Sequence, residues 1–247
     1  MYLWSIILIS AMAAIAGFAL GQFPYPLILS IVICAAAELL ITRFWLKRDL
    51  KIPFSGVITG LIIGVVAPIN APFLAVLIAG MIAILSKFFI KVRSSNLFNP
   101  AALGLIIALA IFSIGDSWWI STSITFLGVV LILTPILIVL AYFAKRLHLA
   151  LASLLTVVVL TLIISGNISL TGLAVGLLSI NYFFIFVMLV EPKTSPPKAG
   201  AQVVYGVGMM LFYYLLIALK TPYPAFAALL AGNIVYGIYR YRGGRLV

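Results

Sequence analysis

Apolar runs of helical length follow one another along almost the whole chain, separated only by short loops, and this leaves few folds open. Of its 247 residues, 66% are hydrophobic and 8% are charged. That is too little polar surface to cover a soluble core of this size. The chain is expected to be an all-α polytopic membrane protein, because a helix satisfies its own backbone within lipid. The runs lie at about 3–20, 27–45, 54–68, 72–90, 99–114, 122–143, 149–165, 168–190, 202–219 and 223–240. They give ten expected spans and leave no stretch for a soluble domain. The run from Leu3 to Leu20 lacks a basic leading segment and runs straight into the next, so it reads as a span and not as a cleaved signal.

The net charge of +11 points to membrane orientation, not to nucleic acid, because the basic residues sit in short loops between the runs. Arg43, Lys47, Arg48 and Lys51 follow the second run; Lys87, Lys91 and Arg93 follow the fourth; Lys145 and Arg146 follow the sixth. Lys193 and Lys198 follow the eighth, and Arg240, Arg242 and Arg245 follow the tenth. Lys220 alone falls on the other side, so fourteen of fifteen cations share one face. By the excess of Lys and Arg in cytoplasmic loops, this places both termini in the cytoplasm. Trp118, Trp119 and Tyr223 then fall at the outer interface, where aromatic rings are favoured. Cys34, the sole cysteine, lies in an apolar run and reads as a small buried hydrophobe.

A short pattern occurs twice, as Thr59-Gly60-Leu61-Ile62-Ile63-Gly64 and as Thr171-Gly172-Leu173-Ala174-Val175-Gly176. The copies fall in the third and eighth runs, which cross the bilayer in opposite directions. A repeat five spans apart with reversed direction is expected of an inverted five-plus-five repeat, residues 1–120 against 121–247, with interrupted helices around a central site. Small residues at such spacing also serve simply to let helices approach closely. Ser55 to Pro68 spans only about 21 Å as a helix at ~1.5 Å per residue, short of a hydrocarbon core of ~30 Å. Asn181 interrupts the eighth run. Both are expected to be broken or tilted helices.

Several polar residues stand out against this background. Glu38 lies about 13 Å inside the basic end of the second run at ~1.5 Å per residue. A carboxylate there is costly, which marks it for a proton relay or Na+ binding, or for a pair with Arg43 or a neighbouring helix. Gly172 and Asn181 join it as ion or proton pathway candidates. Asn99 and Pro100 read as the cap and first residue of a helix whose free N–H groups suit a phosphate, a flavin carbonyl or a quinone oxygen. Glu191 at the end of the eighth run suits an interfacial salt bridge with Lys193. Tyr182, Phe183, Phe184 and Phe186 could stack a ring, although aromatic helix packing is the commoner use. His148 is expected to be solvated, and a single His excludes bis-histidine haem within the chain. The sequence has no Walker loop, dinucleotide fingerprint or metal-ligand cluster.

Four segments, in order, resemble the RnfD/NqrB family, the flavin-bearing membrane subunits of ion-pumping Rnf and Na+-NQR complexes. Ser55-Gly56-x-x-Thr59-Gly60 resembles its S-x-x-x-T-G segment, and Asn96-x-Phe98-Asn99-Pro100-Ala101 its N-x-F-N-P-A motif. Glu191-Pro192-Lys193-Thr194-Ser195-Pro196, then Gly206, resembles its D-P-x-T-S-P…G segment, and Phe226 to Asn233 its last helix. Glu38 with the basic run after it is similar to the family's second helix. The resemblance covers residues 25–240. It implies cofactor-binding roles for Ser55, Thr59, Gly60, Asn96, Phe98, Asn99, Glu191, Thr194 and Ser195. The motifs around Asn99 and Thr194 fall on the same basic side and are expected to hold the polar edge of an isoalloxazine or quinone ring.

One departure matters. Family members attach FMN covalently to the Thr of an S-G-A-T motif after the fifth span, and here that place reads Gly115-Asp116-Ser117-Trp118-Trp119-Ile120-Ser121-Thr122. Covalent FMN is not expected; a noncovalent flavin, riboflavin or FMN, is. The resemblance implies a multi-pass subunit of the cytoplasmic membrane that moves electrons and couples them to Na+ or H+. Its partners would be other subunits of the complex, including a soluble one facing NADH. A channel or transporter for a small solute or ion, built on the same repeat, is the alternative, and a cofactor-free scaffold a third. The orientation is directly testable: reporter fusions after Arg93 and Val247 are expected to report cytoplasm and one after Gly21 the opposite side. A periplasmic signal at Val247 would overturn the even number of spans.

Overall fold

The computed structural model describes residues 2–22, 24–122, 134–166, 169, 172–174, 177 and 180–243. The described residues are mostly helical, with one two-stranded ribbon. Four helices are long and apolar enough to cross a membrane: Tyr2–Leu20, Tyr25–Trp45, Leu147–Ser165 and Ala199–Ala218. This is the helical membrane architecture that the composition demands. The chain divides into two compact units, Met1–Ile124 with Arg240–Val247, and Thr125–Tyr239.

The first unit contains α1 (Tyr2–Leu20), α2 (Tyr25–Leu40), α3 (Phe54–Val66), α4 (Phe73–Phe89), the ribbon of β1 (Lys91–Val92) and β2 (Ser95–Asn96), α5 (Pro100–Phe112) and the short α6 (Trp119–Thr122). Proline opens most of these helices, where its missing N–H costs nothing: Pro24 and Pro72 precede α2 and α4, and Pro100 begins α5. Gly21 and Ser113 take left-handed backbone where α1 and α5 stop, at φ 63° and 53°. At its far end α2 widens into a π-helical turn, Ile41–Trp45, and Leu46 donates to the Ile41 carbonyl at 3.0 Å.

The core of this unit is α3. Thirteen residues make it about 20 Å long at ~1.5 Å per residue, and every residue from Thr59 to Ala67 is buried. A helix apolar all round belongs inside a protein. Its glycine face fixes how close α2 can come. A Cβ placed on Gly60 would stand 2.5 Å from Ile31 Cα and 2.6 Å from the Ser30 carbonyl; on Gly64 it would stand 2.5 Å from Leu27 Cα. Backbone thus lies directly on backbone, with α2 and α3 antiparallel. Ser30 seals the contact by donating from Oγ to the Gly60 carbonyl at 2.7 Å.

The end of α3 explains a departure from expectation. Trp118 and Trp119, expected at the outer interface, are buried within the protein, at 9% and 1% exposed. Because α3 stops short, its last carbonyls need donors from elsewhere in the protein. Ser117 and Trp118 donate their backbone N–H groups to the Val66 carbonyl at 3.0 and 3.3 Å. The Trp119 indole donates to the Gly64 carbonyl at 2.9 Å.

The second unit contains α7 (Thr134–Phe143), α8 (Leu147–Ser165), a π-helical segment at Phe184–Leu189, α9 (Ala199–Ala218) and most of α10 (Pro224–Arg242). Gly166, at φ 64°, ends α8. Gly206 packs α9 onto α8, where an added Cβ would meet the Leu149 carbonyl at 2.8 Å. The eighth apolar run is interrupted, as its sequence requires: Ile180 and Asn181 are not helical. Asn181 Oδ1 then caps the next segment by accepting from Phe184 N at 3.0 Å. Tyr182, Phe183, Phe184 and Phe186 are all buried. Of the second glycine pattern, Gly172 is described and buried, while Thr171, Val175 and Gly176 lie outside the described residues.

The α2–α3 contact makes a quantitative prediction. Gly60→Leu places a side chain against backbone that cannot yield, and overpacking costs about 1–3 kcal/mol or more. Gly208 on α9 has nothing within 4 Å of its Cβ position, so Gly208→Ala should be neutral or stabilising by up to about 1 kcal/mol, the gain in helix propensity. Melting temperatures in detergent compare the two directly. Equal stability of the variants would mean that α2 and α3 are not in backbone contact.

Candidate functional site

The ionisable pair inside the first unit comes from α2 and α4. Glu38 Oε2 lies 3.0 Å from Lys87 Nζ, with side-chain exposures of 18% and 8%. The carboxylate passes over the start of α3, where a Cβ on Gly56 would come within 2.7 Å of Oε2. Three helices therefore meet at this pair, and only glycine at residue 56 leaves room for it. The partner is Lys87, not Arg43, which is exposed. One reason is direction: a helical side chain at position 38 that faces α3 and α4 cannot also reach the outer face of its own π turn.

Glu38 also lines a cavity of about 560 Å3, together with Thr42, Lys47, Arg48, Asp49 and Lys51. Its other walls are the end of the π turn and the non-helical chain leading to Pro53. The carboxylate is thus reachable from the basic rim while its charge is met by Lys87. Such an arrangement can exchange a proton at the inner end of the cleft, while the surrounding cations oppose a bound cation.

The N-x-F-N-P-A segment is the joint between the ribbon and α5. Lys91 pairs with Asn96 and Val92 with Ser95, and Arg93 turns the chain at φ 57°. Asn96 and Asn99 are 6% and 1% exposed, and Phe98 is half-buried. Asn99 Oδ1 accepts from Ala102 N at 3.0 Å, and its carbonyl accepts from Leu103 N at 3.1 Å. This is the cap that the sequence predicts. The Asn96 carbonyl accepts from Arg240 at 2.8 Å, and Arg93 donates to the Tyr241 carbonyl at 3.4 Å.

In the second unit, Glu191 to Pro197 forms a compact loop with buried polar residues. Thr194 and Ser195 are each 1% exposed. Ser195 Oγ donates to the Glu191 carbonyl at 2.7 Å and accepts from Arg146 Nε at 3.0 Å. The same guanidinium donates to the carbonyls of Pro192 and Ser195, both at 3.2 Å. Burial lowers the Arg146 pKa from its ordinary value, an effect opposed in part by Tyr236. A guanidinium nevertheless stays charged. Gln202 holds the other side, donating to the carbonyls of Lys145 and Pro197 at 2.9 Å each and accepting from Leu149 N. Asn233 donates to the Thr194 carbonyl at 3.4 Å.

The remaining sequence candidates have definite places. Ser55 is half-buried, and Thr59 Oγ1 donates to its carbonyl at 2.9 Å. Gly60 faces α2, the close-packing role of such glycines. Gly172 N donates to Ser169 Oγ at 3.2 Å. The site residues therefore gather by segment: the α3 start with Glu38, the α5 joint, and the 191–197 loop. His148 is exposed, as expected.

Sequence reasoning missed the organisers. Lys87 and Arg146 carry weight in the orientation argument as loop cations, yet both are buried and bonded inside the fold. Gln202 gave a readable signal, an amide within an apolar run. No family model matches the chain, and no curated protein matches it.

Breaking the ion pair from one side should be costly. Removing one partner of a buried pair costs about 3–5 kcal/mol, with the lower end expected because Glu38 keeps some exposure. Lys87→Met should therefore lower stability more than the double variant Glu38→Gln/Lys87→Met. Thermal unfolding of the two in detergent decides it: a double variant less stable than the single would show that the charges are not coupled.

Proposed function

We propose that this chain is a membrane subunit of an Rnf- or NQR-like ion-translocating electron transport complex. In this reading it has ten spans in an inverted five-plus-five repeat, lies in the cytoplasmic membrane and keeps both termini in the cytoplasm. It binds riboflavin or FMN noncovalently and passes electrons within or across the membrane. It is not catalytic alone; other subunits, among them a soluble one facing NADH, supply the electrons. Quinone is a further candidate ligand.

The observation that carries this reading is the ordered set of four family-like motifs between Ser55 and Asn233. Two features of the fold support it. The N-x-F-N-P-A segment opens α5, with buried Asn96 and Asn99 at a helix start, whose dipole favours a polar ring edge. The E-P-x-T-S-P segment is a loop held in one shape by Arg146 and Gln202, and such preorganisation suits ligand contacts. Thr122 stands outside the S-G-A-T context, so no phosphoester-linked FMN is assigned to it. Coupling to Na+ or H+ would run through Glu38.

The alternative is a small-solute or ion channel or transporter. It is favoured by one observation, the rim cavity that ends on the Glu38–Lys87 pair. Electron transfer would then be absent, while the ion path would remain.

Two substitutions test the flavin assignment. Asn99→Asp keeps an oxygen to cap Ala102 and removes the amide donor. Thr194→Val removes a hydroxyl whose bond to the Glu191 carbonyl is long, at 3.5 Å. Losing a polar contact in a buried site costs ~1–3 kcal/mol, about ten- to a hundredfold in affinity. Riboflavin and FMN titrations read by fluorescence quenching should show that loss in each variant. Wild-type affinity in both would place the flavin elsewhere, and a fluorescent band in a denaturing gel would mean a covalent link after all.

A further inference from the structure

The stretch from Ile41 to Pro53 walls the cavity that the channel reading takes as an ion path, and it carries an exposed apolar and cationic surface that neither reading uses. It leaves the membrane helix through the π turn and then runs without regular structure to α3. Along it, large apolar and cationic side chains alternate at the surface. Phe44 and Trp45 are 74% and 70% exposed, and Leu50 and Ile52 are 58% and 69% exposed. Lys47, Arg48 and Lys51 lie between them and line the rim cavity. Lys47 adopts left-handed backbone at φ 51°, and Arg48 N donates to the Thr42 carbonyl at 3.1 Å. That reversal turns the cations toward the cavity wall. The Trp45 ring meets Phe89 edge-on at 5.7 Å, which fixes the segment against the end of α4.

The charge in this cavity is lopsided. Three cations face Asp49 and Glu38, and Glu38 is already neutralised by Lys87 at 3.0 Å. The volume of about 560 Å3 falls within the range of small-molecule sites, ~300–1,000 Å3. Exposed aromatic and aliphatic side chains beside a cationic cleft match the boundary between acyl chains and headgroups.

We propose that this rim cavity binds the phosphate of an anionic phospholipid, with Lys47, Arg48 and Lys51 on the headgroup and Phe44, Trp45, Leu50 and Ile52 among the acyl chains. A bound lipid would then sit at the entrance to the Glu38–Lys87 pair. The chemistry recognised is a phosphate ester, and the lipid is favoured over a soluble phosphate by the four exposed apolar side chains around the cleft. The inference does not depend on flavin binding.

The test uses the full chain in detergent with brominated lipids, which quench nearby tryptophan. Trp45→Phe identifies the part of the signal that comes from this site. Brominated phosphatidylglycerol should quench Trp45 more strongly than brominated phosphatidylcholine at the same mole fraction. Each of Lys47→Gln, Arg48→Gln and Lys51→Gln should reduce that preference about fivefold. Asp49→Asn, which removes the cavity's unmatched anion, should increase it. This opposite-signed variant keeps the test decisive even if the cation variants fold poorly. Equal quenching by the two lipids in wild type, or an unchanged preference in Asp49→Asn, would overturn the proposal. Displacement of brominated phosphatidylglycerol by millimolar inorganic phosphate or FMN would assign the site to a soluble phosphate and overturn the lipid assignment. Flavin affinity measured in the same variants separates this result from the fate of the flavin reading.

Discussion

The first unit depends on one contact, the approach of α3 to α2 along Gly56, Gly60 and Gly64. Within lipid, no hydrophobic force distinguishes a neighbouring helix from an acyl chain, so helices associate through close packing and internal hydrogen bonds. At Gly60 and Gly64 the backbones approach so closely that no side chain fits between them. The Ser30 hydroxyl adds a hydrogen bond across the seam. Other features of the unit follow from this seam. Because α3 is buried and short, its terminal carbonyls recruit Ser117, Trp118 and Trp119. At its other end, Gly56 leaves space for the Glu38 carboxylate to cross to Lys87. A single row of glycines thus sets both the packing and the place of the buried charge.

The second unit solves a similar problem with polar side chains. The loop from Glu191 to Pro197 carries many backbone groups that would be costly to bury unpaired. Arg146, Gln202 and Asn233 each reach in from a different element and satisfy its carbonyls. Truncating Arg146 or Asn233 would take these donors from the carbonyls of the buried Ser195 and Thr194. This loop is held from outside by those three side chains and from within by the bonds of Thr194 N and Ser195 Oγ to the Glu191 carbonyl and by Pro192, Pro196 and Pro197, whose rings fix φ.

Much of this was legible in the sequence, and what was not has a common cause. Pro100 marked the start of α5, Asn99 announced its cap, and Asn181 announced the break, because each acts on the backbone within a few residues. The run from Ser55 to Pro68, expected to be a broken or tilted helix because of its length, forms one unbroken helix of 13 residues, Phe54–Val66. The partners were illegible. Glu38 reaches a lysine 49 positions away, and the Trp119 indole reaches a carbonyl 55 positions away. Such choices belong to tertiary packing and leave no local pattern. Lys87 and Arg146 were read as loop cations because their position beside a span end is the same whether they face water or the fold. Gly60 carries both a site reading and a packing reading; its Cβ position, filled by α2 backbone, shows the packing.

The central functional proposal is that this chain binds a flavin within the membrane without a covalent bond. An absorption spectrum of the purified full chain, taken before and after denaturation and removal of the protein, tests it most directly. The account predicts flavin bands in the folded protein that pass wholly into the supernatant. A folded protein with no such bands, or bands that stay with the precipitated chain, would contradict it.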